Sequence, residues 1–164
     1  TNLAIFSSIV HLGSNPALIG FILRPKTVPR HSHLNMKSTG IFTLNAISKS
    51  QIKDAHHTSA KYPDSVSEFD QTDLESEFKH GWKAPYVKGA KIQIGCSYVN
   101  EYLIKENDTV LVVGKIEHLY IEDQLLGEDG WIQLDKGDIV TINGLDGYAI
   151  PNLIRRFEYA RPKE

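Results

Sequence analysis

The chain has 164 residues, and its 18 Lys and Arg against 20 Asp and Glu give a formal net charge of -2 at pH 7. This length supports one core of ordinary size, so we expect a single domain over residues 1–164. The near-neutral charge offers no broad attraction for nucleic acid or an anionic membrane, so we expect neither as a partner and any anion site to be local.

The single cysteine, Cys96, lies in a strand-like apolar run and excludes a disulfide framework. A free cysteine is most often a small buried core residue, and a reducing compartment is the simpler interpretation. No apolar segment approaches the roughly 20 residues that span a bilayer, and we expect no basic-then-apolar leader. The sequence therefore predicts a soluble, cytoplasmic protein.

The first ten residues predict a β-strand, because β-branched and aromatic residues dominate and turn residues are absent until Gly13. Ser7 and Ser8 lie side by side in this apolar stretch. Adjacent strand residues point to opposite faces, so both hydroxyls cannot face solvent in a packed sheet. We expect one of them either to be satisfied internally or to face a ligand. Because the chain starts in strand character without Met, we also expect the domain to lack its N-terminal strand.

A turn at residues 13–16 and the apolar run at 17–23 predict a hairpin whose second strand is buried on both faces. Residues 24–31, with two prolines and three fixed cations, predict a positively charged loop. Ser32 is expected to cap a short helix that ends before Gly40. A helix start beside Arg30 predicts a phosphate site, the alternative being a solvated loop and an ordinary cap.

The rest of the chain predicts further strands with short helices between them. Capping-box patterns that begin at Ser48 and Thr72 predict helices to about residue 57 and over 72–78. Polar residues 58–73 predict a long surface excursion, of a kind that often covers a site. Strands are expected at 41–47, 92–104, 109–121, 131–134 and 138–142, with turns at 105–108 and 144–147. This order predicts a mainly β fold, an antiparallel barrel with short helical insertions.

The sequence lacks the motifs of several common kinds of functional site. Neither His31 with His33 nor His56 with His57 has the spacing of three or four that brings two rings to one helix face, so we expect no metal site. The Gly-x-Ser-x-Gly turn of a serine nucleophile is missing, and so are the phosphate-cradling glycine loop and the dinucleotide fingerprint. A nucleotide would therefore need another kind of site.

A series of short motifs runs along almost the whole chain. They are TNLAIFSS at 1–8, NPALIGF at 15–21, RHSHLN at 30–35 with Thr39-Gly40, SEF at 67–69, Ala84-Pro85 and GKIEH at 114–118. In this order and spacing, they resemble the flavin reductase-like, FMN-binding split-barrel family. The C-terminal NGLDGY at 143–148 and YARP at 159–162 resemble one branch of that family.

The resemblance implies a six-stranded Greek-key split barrel, a homodimer and FMN in a groove near the dimer interface. The isoalloxazine and ribityl contacts that it implies are Thr1, Asn2, Ala4, Ser7 and Ser8. The phosphate contacts that it implies are Arg24, Arg30, His31 and Ser32. Where the family often has Lys-Asp-Thr, this chain has Arg-His-Ser at 30–32, a change that keeps the cation and the hydroxyl.

The function implied by the resemblance is hydride transfer from NAD(P)H to the flavin, with the protein supplying position, electrostatics and access. His118 is a candidate for the nicotinamide side, and a satisfied strand histidine is the alternative. Two other functions stay open. One is a flavin-binding protein that passes electrons to a partner without using nicotinamide, and the other is a non-catalytic dimeric barrel.

Overall fold

The structure is a computed structural model that describes residues 1–25 and 30–162. Nine strands are present in this part of the chain: β1 Ile9–Ser14, β2 Ala17–Leu23, β3 Ile41–Ala46, β4 Ser76–Glu77, β5 Tyr86–Val87, β6 Ile92–Ile104, β7 Thr109–Ile121, β8 Thr141–Asn143 and β9 Gly147–Ala149. The α-helices are α1 His31–Thr39 and α2 Ile52–His57. Short 3-10 helices lie at Lys49–Gln51, Glu68–Gln71, Asp123–Leu125 and Asp135–Gly137.

Five strands form the main antiparallel sheet in the order β1-β2-β7-β6-β3, while β4 pairs with β5 and β8 with β9. The long hairpin of β6 and β7 is the centre of this sheet, with pairing from Ile92↔Ile121 to Ile104↔Thr109. The register of this pairing shifts twice, between Gly95 and Cys96 and between Tyr98 and Asn100. The predicted fold class, mainly β and antiparallel with short helices, is confirmed.

The main core cluster lies against β2, β3, β6 and β7. Phe21 and Phe42 meet edge to face with ring centroids 5.5 Å apart, and Cys96 is fully buried in the same cluster. Burial raises the pKa of the Cys96 thiol to about 12, as expected for a thiol without solvent contact. A Cβ on Gly114 would lie 2.5 Å from the Phe42 Cζ, so this position needs glycine for the aromatic ring to pack.

Several local predictions are confirmed. The β1–β2 hairpin forms, β2 has the predicted bounds, and the β6–β7 turn lies at residues 105–108. Gly40 ends α1 in the left-handed conformation with φ 73°, and its N–H donates to the Met36 carbonyl at 2.9 Å. The capping box at Ser48 is present, where it begins the 3-10 helix that leads into α2. Residues 26–29 of the predicted basic loop lie outside the described residues.

Two predictions near the N-terminus are wrong. Residues 1–8 form no strand, and β1 begins at Ile9, because side-chain hydrogen bonds to the first residues and to Ser8 take the place of sheet pairing. Ser32 is not the helix cap. The N-cap residue of α1 is Arg30, so Ser32 lies within the first helical turn.

Three later predictions also need correction. Residues 72–78 form no helix, because Ser76 and Glu77 pair with β5 and the buried Gln93 amide donates to Glu77 at 2.6 Å. Residues 131–134 contribute a single bridge, Leu126↔Ile132, instead of a strand. The strand expected at 138–142 begins only at Thr141. Within the described chain, no helix is long and apolar enough to cross a membrane.

Candidate functional site

A cavity of about 930 Å³ lies beside β3. Its volume falls within the roughly 300–1,000 Å³ that is typical of small-molecule and cofactor sites. The α1 residues that line it are Ser32, Asn35, Met36 and Thr39, whose spacing places them on one face of the helix. Every residue of β3 also lines the cavity, and further walls come from residues 1–7, from 83–85 and from 140–142.

The N-terminal segment, residues 1–8, is held at its start by Glu68. Asn2 Nδ2 donates to Glu68 Oε1 and the Leu3 N–H donates to Glu68 Oε2, each at 2.7 Å. Asn2 Oδ1 in turn accepts a hydrogen bond from the Ser32 hydroxyl. The Leu3 side chain packs against the buried cluster formed by Leu74, Val87 and Ala90. These contacts fix a segment without strand pairing as one wall of the cavity.

The other end of the N-terminal segment is held against β2. Phe6 packs edge to face on Phe21 with centroids 5.0 Å apart. Ser8 Oγ accepts from the Ile22 N–H at 3.1 Å and donates to the Ile22 carbonyl at 3.3 Å. The Ser8 hydroxyl is therefore satisfied internally, whereas Ser7 lines the cavity. Ser7 and Ser8 are both exposed, so the expectation that they lie on opposite faces of a packed strand does not hold for this segment, which forms no strand.

Polar residues of β3 hold the opposite wall. Thr43 Oγ1 donates to the Pro85 carbonyl at 2.6 Å, and Asn45 Oδ1 accepts from the Val87 N–H at 3.0 Å. Asn45 Nδ2 also donates to Thr43 Oγ1 at 3.1 Å. These bonds fix residues 83–87 against β3, so that Lys83 also lines the cavity.

The start of α1 brings together a cation and hydrogen-bond donors. Arg30 is the N-cap residue, and its Nε is buried without a hydrogen-bond partner in the described chain. His31 Nε2 lies 3.6 Å from Asp64 Oδ1, and Ser32 reaches the cavity. The first N–H groups of a helix lack intrahelical acceptors and carry the positive end of its dipole. A buried donor without a partner at this position fits an anion.

Only some of the site residues predicted from the sequence line the cavity. The predicted residues that line it are Thr1, Asn2, Ala4, Ser7 and Ser32. The predicted residues outside its lining are Ser8, Arg24, Arg30, His31 and His118. His118 packs edge to face on Trp82, with centroids 4.8 Å apart, and stacks with Tyr120 at 6.3 Å.

Sequence reasoning missed several polar groups of the cavity. Asn35 and Thr39 follow Ser32 at helical spacing, and Thr43 and Asn45 alternate with apolar residues along β3. Both patterns are visible in the sequence and indicate polar groups directed to one side. The sequence gives less indication that Lys83 lines the cavity, since this residue only precedes the Ala84-Pro85 motif. It is the one Lys or Arg side chain that lines the cavity in residues 1–25 and 30–162.

Residues 1–136 match the family model described as flavin reductase like domain, and the chain therefore belongs to this family. An uncharacterized protein of Methanothermobacter thermautotrophicus is 28% identical over 112 residues, which cover 66% of this chain. The matched region covers 53% of that relative, so the chain spans about half the length of the curated relative it matches.

Solved structures agree with this assignment. A Shewanella frigidimarina protein, provisionally described as a flavin reductase with a split barrel domain, is 39% identical with a TM-score of 0.92. The match covers 97% of this chain and 79% of that one. Nitrilotriacetate monooxygenase component B from Bacillus cereus is 22% identical with a TM-score of 0.81, covering 95% of this chain and 78% of that one. The family and the split-barrel fold predicted from the sequence are confirmed.

Proposed function

We propose that this protein is a cytoplasmic FMN-binding flavin reductase that uses NAD(P)H as hydride donor. The observation that carries this proposal is the cavity of about 930 Å³, whose wall is the N-terminal segment that the family resemblance implies as the flavin contact. The start of α1 adjoins the same cavity through Ser32 and carries a buried, unpartnered Arg30 Nε. An elongated ligand with a ring at one end and an anion at the other suits this arrangement.

The residues present fit FMN. We propose that Thr1, Asn2, Ala4 and Ser7 hold the ring and ribityl chain. The proposed contact of Ser8 rests on its backbone, because its hydroxyl is bonded to Ile22. For the phosphate, the proposed residues are Arg24, Arg30, His31 and Ser32. The buried Arg30 Nε supports this assignment, because a guanidinium binds phosphate through charge-assisted hydrogen bonds.

Bound FMN would supply the redox chemistry. The walls of the cavity would position it, and Phe6 and Phe69 are among the apolar side chains that line them. Residues 1–8 belong to no strand, and the Leu3 N–H is bound to Glu68, so we propose that other backbone N–H groups of this segment stabilise negative charge on the ligand. We propose that the Lys83 ammonium adds positive charge to the same cavity. The nicotinamide role of His118 stays a prediction, since its ring packs on Trp82 and Tyr120.

Anaerobic reduction tests this proposal. Purified protein is loaded with FMN and mixed with NADH or NADPH while the flavin absorbance is followed, with free FMN at the same concentration as control. We expect the absorbance to bleach faster with protein than without it. Bleaching only with a reduced protein donor would support the electron-transfer alternative. Failure to take up flavin would contradict both functions.

We also propose that the protein forms a homodimer. The first strand, β1, is at one edge of the main sheet in the described chain, and its Val10 and Leu12 side chains are 46% and 42% exposed. Clustered exposed apolar side chains commonly mark an interface between protein chains. Sedimentation velocity is expected to give the mass of two chains, and a monomer at micromolar concentration would contradict the proposal.

A further inference from the structure

We infer that Glu68 is a positioning residue for the flavin site, acting through Asn2 and the Leu3 backbone. This inference rests on the proposed function. Glu68 begins the 3-10 helix Glu68–Gln71 in the long excursion and does not line the cavity itself. Both groups that it binds belong to cavity-lining residues. Its effect on a ligand must therefore pass through the N-terminal segment.

The Glu68 carboxylate is only 4% exposed, so it needs internal donors. Its two oxygens each accept one hydrogen bond from the N-terminal segment at 2.7 Å. No Lys, Arg or His side chain in the described chain forms an ion pair with it. Charge-assisted bonds of this kind are about twice as strong as neutral ones. The buried carboxylate and the N-terminal segment therefore stabilise each other.

The carboxylate also fixes the orientation of the Asn2 amide. A carboxylate only accepts hydrogen bonds, so the Asn2 NH₂ group must face it. The carbonyl oxygen of the same amide then faces α1, where it accepts from the Ser32 hydroxyl. A flipped amide would place two oxygens against each other. Glu68 thus sets which atom Asn2 presents toward α1, and it joins the wall of the cavity to the start of that helix.

Without Glu68, the start of the N-terminal segment would keep the apolar packing of Leu3 and the Asn2–Ser32 hydrogen bond, but it would lose both bonds to the carboxylate. Residues 1–3 have no strand partner that would hold their backbone in place. We therefore expect the loss of this carboxylate to loosen the cavity wall while the main sheet stays intact. This expectation separates a positioning role from a general role in stability.

The test compares Glu68→Gln with Asp70→Asn, which changes an exposed carboxylate on the same 3-10 helix. Dissociation constants for FMN and riboflavin are measured by fluorescence titration, and hydrogen exchange at the Leu3 amide is measured in flavin-free protein. We expect E68Q to weaken both flavins about tenfold and to speed Leu3 exchange, because it removes a charged acceptor. D70N is expected to match wild type in every measurement.

A second variant tests whether Glu68 acts through Asn2. Asn2→Ala removes the bridging amide, and in the double variant its effect on flavin affinity should be less than additive with that of E68Q. Additive losses would overturn the inference, and so would wild-type affinity in E68Q. If wild-type protein binds no flavin, the proposed function fails and this inference fails with it. Flavin binding that is unchanged by E68Q overturns the inference alone.

Discussion

The Ser8 hydroxyl accepts a hydrogen bond from the Ile22 N–H at 3.1 Å and donates one to the Ile22 carbonyl at 3.3 Å. It thus binds both backbone groups of Ile22, one position beyond the Ile9↔Phe21 pair where β1 begins. The Ser8 side chain thus makes the hydrogen bonds to Ile22 that the backbone of a paired strand residue would otherwise make. The N-terminal segment is therefore free to leave the sheet and to line the cavity.

Ser7 and Ser8 should respond differently to loss of the hydroxyl. Ser8→Ala leaves the Ile22 N–H and carbonyl without these partners, so we expect the free energy of unfolding to fall by about 0.5–1.5 kcal/mol. Ser7→Ala should leave stability unchanged and weaken flavin binding several-fold. Urea denaturation and flavin fluorescence titration measure the two effects. Equal loss of stability in both variants would contradict the structural division between these serines.

Arg30 should distinguish flavins by their phosphate. Because a charge-assisted hydrogen bond contributes about 1.5–3 kcal/mol, Arg30→Ala is expected to weaken FMN binding by about tenfold to a hundredfold. Riboflavin has no phosphate, so its affinity should hardly change. Isothermal titration with both ligands measures the difference. The control is Arg155→Ala, which removes an exposed arginine of the C-terminal segment. Equal loss for FMN and riboflavin would refute the phosphate assignment.

Cys96 should make the protein less stable in alkali. Burial raises the pKa of this thiol from its ordinary value of 9.0 to about 12, so the folded chain keeps the proton that the unfolded chain loses. The stabilisation is fully present below pH 9 and falls as pH rises toward 12. Above pH 9, the free energy of unfolding should therefore decrease less steeply with pH in Cys96→Ala than in wild type, whatever the packing cost of the substitution. A slope equal to that of wild type would contradict the assigned burial.

Gly95 should tolerate a methyl group only when Tyr86 is shortened. A Cβ at position 95 would overlap the buried Tyr86 hydroxyl and lie 3.3 Å from the His118 Cβ. Overpacking of this kind costs about 1–3 kcal/mol, which we expect for Gly95→Ala. In a Tyr86→Phe background the overlapping oxygen is gone, so the same change should cost clearly less. Chemical denaturation of the four proteins in this cycle measures the coupling, and an additive result would contradict it.

Local sequence patterns predicted the parts of the fold that depend on neighbouring residues. The bounds of β2, the β6–β7 hairpin and the helix end at Gly40 follow from apolar runs, turn residues and a glycine after a helix. The capping-box pattern at Thr72 failed, because residues 76–77 pair with β5 and Gln93 binds Glu77. Contacts with residues distant in the sequence therefore determine the conformation of that segment.

The candidate site was predictable to a similar extent. The resemblance pointed to the N-terminal segment and to the start of α1, and the cavity joins these two elements through Asn2 and Ser32. No local pattern indicates that Glu68 binds Leu3 across 65 positions, or that Ser8 binds Ile22 while Ser7 does not. Such contacts depend on how the chain folds back on itself, and they decide which side chains reach the cavity.

The most direct test of the account is a fluorescence titration of FMN with purified wild-type protein. If the cavity binds flavin, the flavin fluorescence changes to saturation at one FMN per chain. If Arg30 binds the phosphate, riboflavin binds more weakly than FMN. A titration without any saturable change would contradict the assignment of this cavity as a flavin site.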